Sequence, residues 1–361
     1  MDLTINPDFG QVEADPSEVN LSAFESYFDE KRPFFIEGRN IYEYPIEEDD
    51  SDNGLFYSRR IGRSPHYYPE NDFVKIPDNT TILGAAKITG KTSKGLSIGI
   101  LESVTNTETA EVMNVGGSIE EVNVEPMTNY FAGRLEQELN QGNTIIGGMF
   151  TSTNRFIKDE HLKDIPNNAQ TGGLNFKHSW KDKKYSFSAR FLGSRVSGDS
   201  AAMMNMQTSS RRYFQRPDFK KNRLDSTAKS ISGHAGNLNF GTNINSGWNY
   251  NGWLNWRSPG LDFNDMGYLR NTDNISQGFW VGYSSPQPKG IFRRVGVNMA
   301  FWNAWNFDGV HKYWGINANT NFRFTNYWFY SLGGSFSGQS NSPTHLRGGP
   351  IFNLPSGLNF W

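Results

Sequence analysis

Between Asn237 and Gly338 apolar and polar side chains alternate with a period of two. Trp248, Tyr250, Leu254 and Trp256 fall on one parity, Asn249, Asn251, Asn255 and Arg257 on the other, and Trp253 is the one exception. Trp314, Ile316, Ala318, Phe322 and Phe324 likewise alternate with Tyr313, Asn317, Asn319, Asn321 and Arg323. Thr325-Asn326 then reverses the chain before Trp328, Tyr330, Leu332 and Phe336. Successive side chains of a strand point to opposite faces, so each stretch predicts a strand with an apolar side and a polar side. These strands run for about ten residues, against roughly five or six in soluble sheets, and about nine to eleven tilted residues cross a bilayer. A polar face of Asn, Ser, Gly and Arg suits a wet lumen better than a packed interior.

The connections sharpen this picture. Short turns at Ser93-Lys94, Gln141-Gly142, Lys181-Asp182-Lys183, Asn245-Ser246, 286–290 and Thr325-Asn326 alternate with long excursions near 107–126, 156–168, 198–227, 258–272 and 305–310. Bacterial outer-membrane barrels have this rhythm, with short periplasmic turns and longer extracellular loops. The pattern predicts an all-β, antiparallel up-and-down transmembrane β-barrel, incomplete within these residues. The soluble alternatives are a β-sandwich or a propeller, but no blade-length repeat is present.

Two regions follow from the patterning. Residues 81–361 are the hairpin array of the wall. Residues 1–80 carry a strand over Leu3–Phe9, a helical turn over Ser22–Phe28, a charged and aromatic block to Gly38 that folds inward, an acidic loop and an extended strand over Leu55–Gly62.

Composition agrees with a barrel. Mean hydropathy is -0.62 with 36% hydrophobic residues, which leaves no stretch for a transmembrane helix, yet aromatics reach 14% and Gly numbers 37. Alternating strands with one lipid-facing side produce that combination, whereas a disordered chain lacks the aromatics. A net charge of -2 gives no basic footprint for nucleic acid, and the absence of Cys removes disulfides and thiolate metal sites. Asp2-Leu3-Thr4-Ile5 after Met1 has neither the basic nor the apolar part of an export signal, so the sequence reads as an internal piece of an exported protein.

Thr4–Pro16, Asn20–Glu25, Glu30–Gly38 and Leu55–Gly62 resemble a family of bacterial outer-membrane proteins, and Ile82–Lys87, Gly147–Thr151 and Leu346–Pro350 are similar to it as well. That family joins an N-terminal domain like the family 9 carbohydrate-binding modules to a C-terminal barrel domain of unknown function. The resemblance covers essentially the whole chain and implies an outer-membrane location and a barrel, with no settled activity. Relative to the family, no binding module precedes Met1, and further strands would follow Trp361.

Candidate chemistry is sparse. Ala85–Thr92 satisfies a loose phosphate-loop pattern, but Leu96, Ile98 and Ile100 continue as a strand where a helix is required. Gly95-Leu96-Ser97-Ile98-Gly99 spells a nucleophile elbow, yet Ser97 falls mid-strand on the polar parity. The six His residues lack ligand spacing, and Glu47–Asp52 lacks the spacing of a calcium loop, so no metal or other cofactor is expected. Glu13, Asp15, Glu30, Lys31, Arg32, Glu37, Arg59 and Arg60 form a mixed-charge set that would tie the inward block to the wall, as a structural ion-pair network or as the shape of a pore. Asn249, Asn251, Asn317, Asn319 and Arg323 would line the lumen and meet solute. The expected partners are outer-membrane lipid and, through the family resemblance, oligosaccharide. The expected function is solute passage or handling at the cell surface. The competing readings are a barrel-borne carbohydrate hydrolase, which needs two carboxylates in one cleft, and a secreted soluble sugar-binding β-protein.

Overall fold

A computed structural model describes residues 1–7, 19–47, 53–71, 73–114 and 116–361. In chain order the strands are β1 (Asp2–Ile5), β2 (Val74–Lys75), β3 (Ile82–Lys91), β4 (Leu96–Thr105), β5 (Glu108–Met113), β6 (Ile119–Glu125), β7 (Thr128–Leu139), β8 (Thr144–Arg155), β9 (Asn168–Trp180) and β10 (Tyr185–Ser197). They continue as β11 (Ser230–Thr242), β12 (Gly247–Arg257), β13 (Asn274–Ser285), β14 (Phe292–Trp305), β15 (His311–Phe324), β16 (Phe329–Ser337), β17 (Ser340–Ser342), β18 (Phe352–Leu354) and β19 (Gly357–Phe360). The helices α1 (Pro33–Ile36), α2 (Arg39–Tyr42) and α3 (Ser200–Thr208) are short, and no described helix is long and apolar enough to cross a membrane.

Fourteen strands form one antiparallel sheet in the order β1-β3-β4-β7-β8-β9-β10-β11-β12-β13-β14-β15-β16-β19, open between β1 and β19. The tight turns use backbone that L residues adopt mainly in hairpin reversals: Asn140 and Gln141 have φ of 52° and 58°, and Lys181, Asp182 and Lys183 have 49°, 56° and 62°. Register then carries parity from strand to strand. Ala132 faces Thr151 and Thr151 faces Thr171 on one side, while Gly148, Leu174 and Phe191 line up on the other.

The first side is covered by the N-terminal segment and by residues 258–273, and is here called inner. Phe35, Tyr42, Tyr44, Ile46, Leu55 and Ile61 pack there with Leu101, Tyr130, Met149 and Leu192 of the sheet and Leu261, Phe263, Met266 and Leu269 of the 258–273 connection. The connection and the segment are stitched by backbone bonds between Gly54 and Tyr268 and from Tyr57 N–H to the Met266 carbonyl. Gly173 lets the segment approach, since a Cβ there would lie 2.8 Å from the Tyr44 hydroxyl. On the outer side apolar groups stay uncovered: Leu174 is 70% exposed, Phe191 54% and Phe279 51%.

Trp253, the exception to the alternation, sits on the inner side, where its cross-strand partner Gly278 leaves room for it. Its indole lies over that glycine, where a Cβ would come within 2.0 Å of the ring. Trp302 covers Gly315 in the same way two strands further on. An aromatic ring laid over a cross-strand glycine restores the packing that the missing side chain gives up.

Several local expectations need correction. Ser22–Phe28 forms bends and irregular chain, not a helical turn, with Ser22 and Asn20 side chains turning the backbone on themselves. Leu55–Gly62 is no strand but runs into a 3-10 turn over Ser58–Arg60, and Arg32 donates to the Ser58 carbonyl and to that of Ile61 just beyond it. The excursion near 107–126 contains the β5–β6 hairpin, which pairs with β2 in a separate three-stranded sheet.

Candidate functional site

The mixed-charge set divides into pairs that fasten the N-terminal segment. Glu30 accepts from Arg32 Nε at 2.9 Å and Nη2 at 2.7 Å, and from the Ser58 hydroxyl at 2.5 Å. Burial pushes its carboxyl upward, but the Arg32 guanidinium and the Ser58 hydroxyl outweigh that and hold it below the ordinary carboxylate range. Arg32 also donates to the Ile61 carbonyl at 2.7 Å, and its guanidinium lies 4.3 Å from the Phe35 ring. Arg60 pairs with Glu25 at 2.7 Å and donates to the Gly267 carbonyl at 2.9 Å, while Arg59 donates to the Asp29 carbonyl. Glu37 contributes through its backbone: its carbonyl and that of Phe34 each accept from Lys87 Nζ at 2.6 Å, which satisfies groups left open at the end of α1. Lys87 belongs to β3 and is 1% exposed. Lys31 meets Glu30 through its backbone N–H. Glu13 and Asp15 lie outside the described residues, as does the acidic run beyond Glu47. Glu47 itself pairs with Arg257 and accepts from Asn255.

The 258–273 connection is anchored by further buried pairs, Arg212 with Asp262 and Arg155 with Asp265. Burial would raise the Asp262 carboxyl, yet the Arg212 and Arg211 charges hold it down to about 2, against an ordinary 3.8. A carboxyl lowered in the folded state contributes stability that is fully present above about pH 4 and lost as pH falls toward about 2. The melting temperature is therefore expected to stay level from pH 7 to about 4.5 and to drop below that, with a shallower drop in Asp262→Asn, as followed by circular dichroism.

The inner face of β12–β16 meets the described part of the N-terminal segment through Glu47 at the Arg257 end of β12 and holds an asparagine ladder. Asn298 donates to Asn319 at 3.0 Å, Asn319 to Asn317 at 3.1 Å, and Asn321 to Asn319 at 3.3 Å. Asn251 donates to Asn239 at 3.0 Å, while Asn249 closes the β11–β12 turn through both backbone groups of Ile244. Asn249, Trp280, Arg294, Asn298, Asn321 and Arg323 line a groove of about 360 Å³. Asn251, Asn317 and Asn319 share its face without lining it. Arg294 and Arg323 stand directly opposite each other across β14 and β15.

Trp280, Arg294 and Asn298 escaped the sequence reading. Trp280 shares a parity with Ser276, Gly278, Gly282 and Ser284, so a single large ring among small residues was the available signal. Arg294 carried none, because a register shift between Phe292 and Arg294 sets its face. The loose phosphate loop falls in β3 and its turn into β4, and Ser97 lies within β4, so neither motif has its required helix. Imidazoles pair with Glu125 at His66 and with Thr144 at His178. Among the described residues no group of three or more His, Asp or Glu side chains is placed to hold a metal ion.

A family model described as a domain of unknown function, DUF5916, matches residues 1–345. No curated protein matches. Among solved structures, the chain is similar to BamA from Haemophilus ducreyi lacking POTRA domains 1–3, at 7% identity and a TM-score of 0.31, over 70% of this chain and 56% of that one. The chain thus spans little more than half of that BamA chain. Neither match includes a family 9 carbohydrate-binding domain.

Proposed function

The chain belongs to the family of DUF5916 domains, and from its two-faced sheet we propose that it forms part of an outer-membrane β-barrel wall that admits a solute along its polar inner face. The observation that carries this reading is the contrast between the two sides of the same strands. The outer side leaves Leu174, Phe191 and Phe279 uncovered, while the inner side holds Arg134, Thr151 and Asn237. In water such an outer surface costs free energy at about 25 cal/mol per Å², whereas in a bilayer it is the matched surface. An outer-side notch of about 440 Å³ among Phe187, Leu238, Phe240, Leu254, Phe279 and Phe301 suits an acyl chain.

A hydrolase would need one carboxyl held protonated near neutral pH. Glu30 and Glu43 do line one cavity of about 250 Å³ with Tyr27, Tyr42 and Tyr44. Arg32 and Ser58 hold the Glu30 carboxyl below the ordinary carboxylate range, so Glu30 does not supply the protonated member of such a pair. The test is reconstitution of the full-length protein in planar bilayers. Discrete conductance steps and dependence on detergent for solubility are expected. A protein monodisperse without detergent would overturn the membrane reading and favour the soluble sugar-binding alternative.

A further inference from the structure

We propose that the groove between β12 and β16 is a subsite for an anionic saccharide, its carboxylate held by Arg294 and Arg323 and its ring seated on Trp280. The inference deepens the passage reading and rests on it, since the groove opens on the inner face.

Three observations carry it. Arg294 and Arg323 are directly opposed in register and both exposed, and like charges opposite one another destabilise a sheet. Among the described residues neither has an ion-pair partner, and no carboxylate lines the groove. Elsewhere on the inner face Arg257 pairs with Glu47 and Arg155 with Asp265, while Arg190 stands singly among Asn175 and Asn237 with no second guanidinium directly opposite it. Two opposed guanidinium groups present forks that match a carboxylate, and an anion placed between them relieves their repulsion. The second observation is Trp280, whose indole lies over Gly282 and forms part of the groove. A flat aromatic surface of that kind receives the apolar C–H face of a pyranose ring. The third is Asn298 and Asn321, whose amides supply donors and acceptors for hydroxyls. A small free anion would use the arginines without needing the ring, whereas a neutral sugar would leave their repulsion in place.

The experiment measures binding of trigalacturonate and of neutral galactotriose to the full-length protein in detergent, by titration calorimetry and Trp emission. Trigalacturonate is expected to bind at least about tenfold more tightly than galactotriose. Arg294→Gln with Arg323→Gln should abolish that preference, and Trp280→Ala should weaken both ligands. The Gln pair removes a repulsion, so folding is expected to persist, and heat-modifiable mobility checks it. Equal binding of the two trisaccharides, or a preference that survives the Gln pair, overturns the subsite. Conductance without trigalacturonate binding overturns the subsite and leaves passage standing. Binding without conductance overturns passage and leaves the groove as a surface that captures anionic saccharide.

Discussion

On the proposed membrane reading, Leu174→Arg is expected to keep the protein from assembling in lipid, at a cost of about 2–4 kcal/mol near the bilayer midplane. Leu174 occupies the middle of the thirteen-residue β9 and faces outward. Its register partners are Gly148 and Phe191, so no polar neighbour stands across either strand to accept the guanidinium. Asn317→Arg introduces the same charge on the inner face, where it loses only the contact from Asn319, about 1 kcal/mol. Heat-modifiable gel mobility after folding into lipid separates the two. Equal damage from both substitutions would mean a sheet packed on both sides by protein.

Arg32→Ala should lower stability by about 3–5 kcal/mol, because it leaves a buried carboxylate without its cation. The Glu30 side chain is 3% exposed and would keep only the Ser58 hydroxyl and two backbone N–H groups. The Ile61 carbonyl loses the Arg32 donor in the same step, while the Ser58 carbonyl keeps the Ile61 N–H. The double variant Arg32→Met, Glu30→Gln should recover part of the loss, since neither ion is then stranded. Thermal melting in detergent checks both. The companion measurement is bilayer conductance, expected to rise if the loosened segment leaves the inner face. Unchanged melting and unchanged conductance would show that the segment is not fastened there by Arg32.

The strands and their tight turns were legible because a period of two survives wherever one face is apolar and the other polar. The reversals at Gln141-Gly142 and Thr325-Asn326 lie where expected. What the period could not show is how its own exception is accommodated: Trp253 lies on the polar parity, and Gly278, distant in sequence, lies beneath its ring. The same limit hid Arg294, whose side depends on a register shift. It also hid the 3-10 turn at Ser58–Arg60, where β-prone flanks gave way to carbonyls that Arg32 gathers from outside the local chain. Lys87 fell within the loose phosphate-loop pattern, and nothing local revealed that its ammonium closes a helix fifty residues earlier.

The bonds that secure the N-terminal segment also set an order of events. Glu47 meets Arg257 across 210 positions, and Arg60 meets the Gly267 carbonyl across 207. Contacts of such separation form only after the entropy of closing a long loop has been overcome, and chains dominated by them fold slowly. The segment is synthesised first, yet its anchors at β12 and at 258–273 come after seven intervening strands of the sheet. Its final seating is therefore expected to be a late kinetic step, and until then Phe35, Tyr44 and Leu55 lack the apolar surface that buries them in the folded chain.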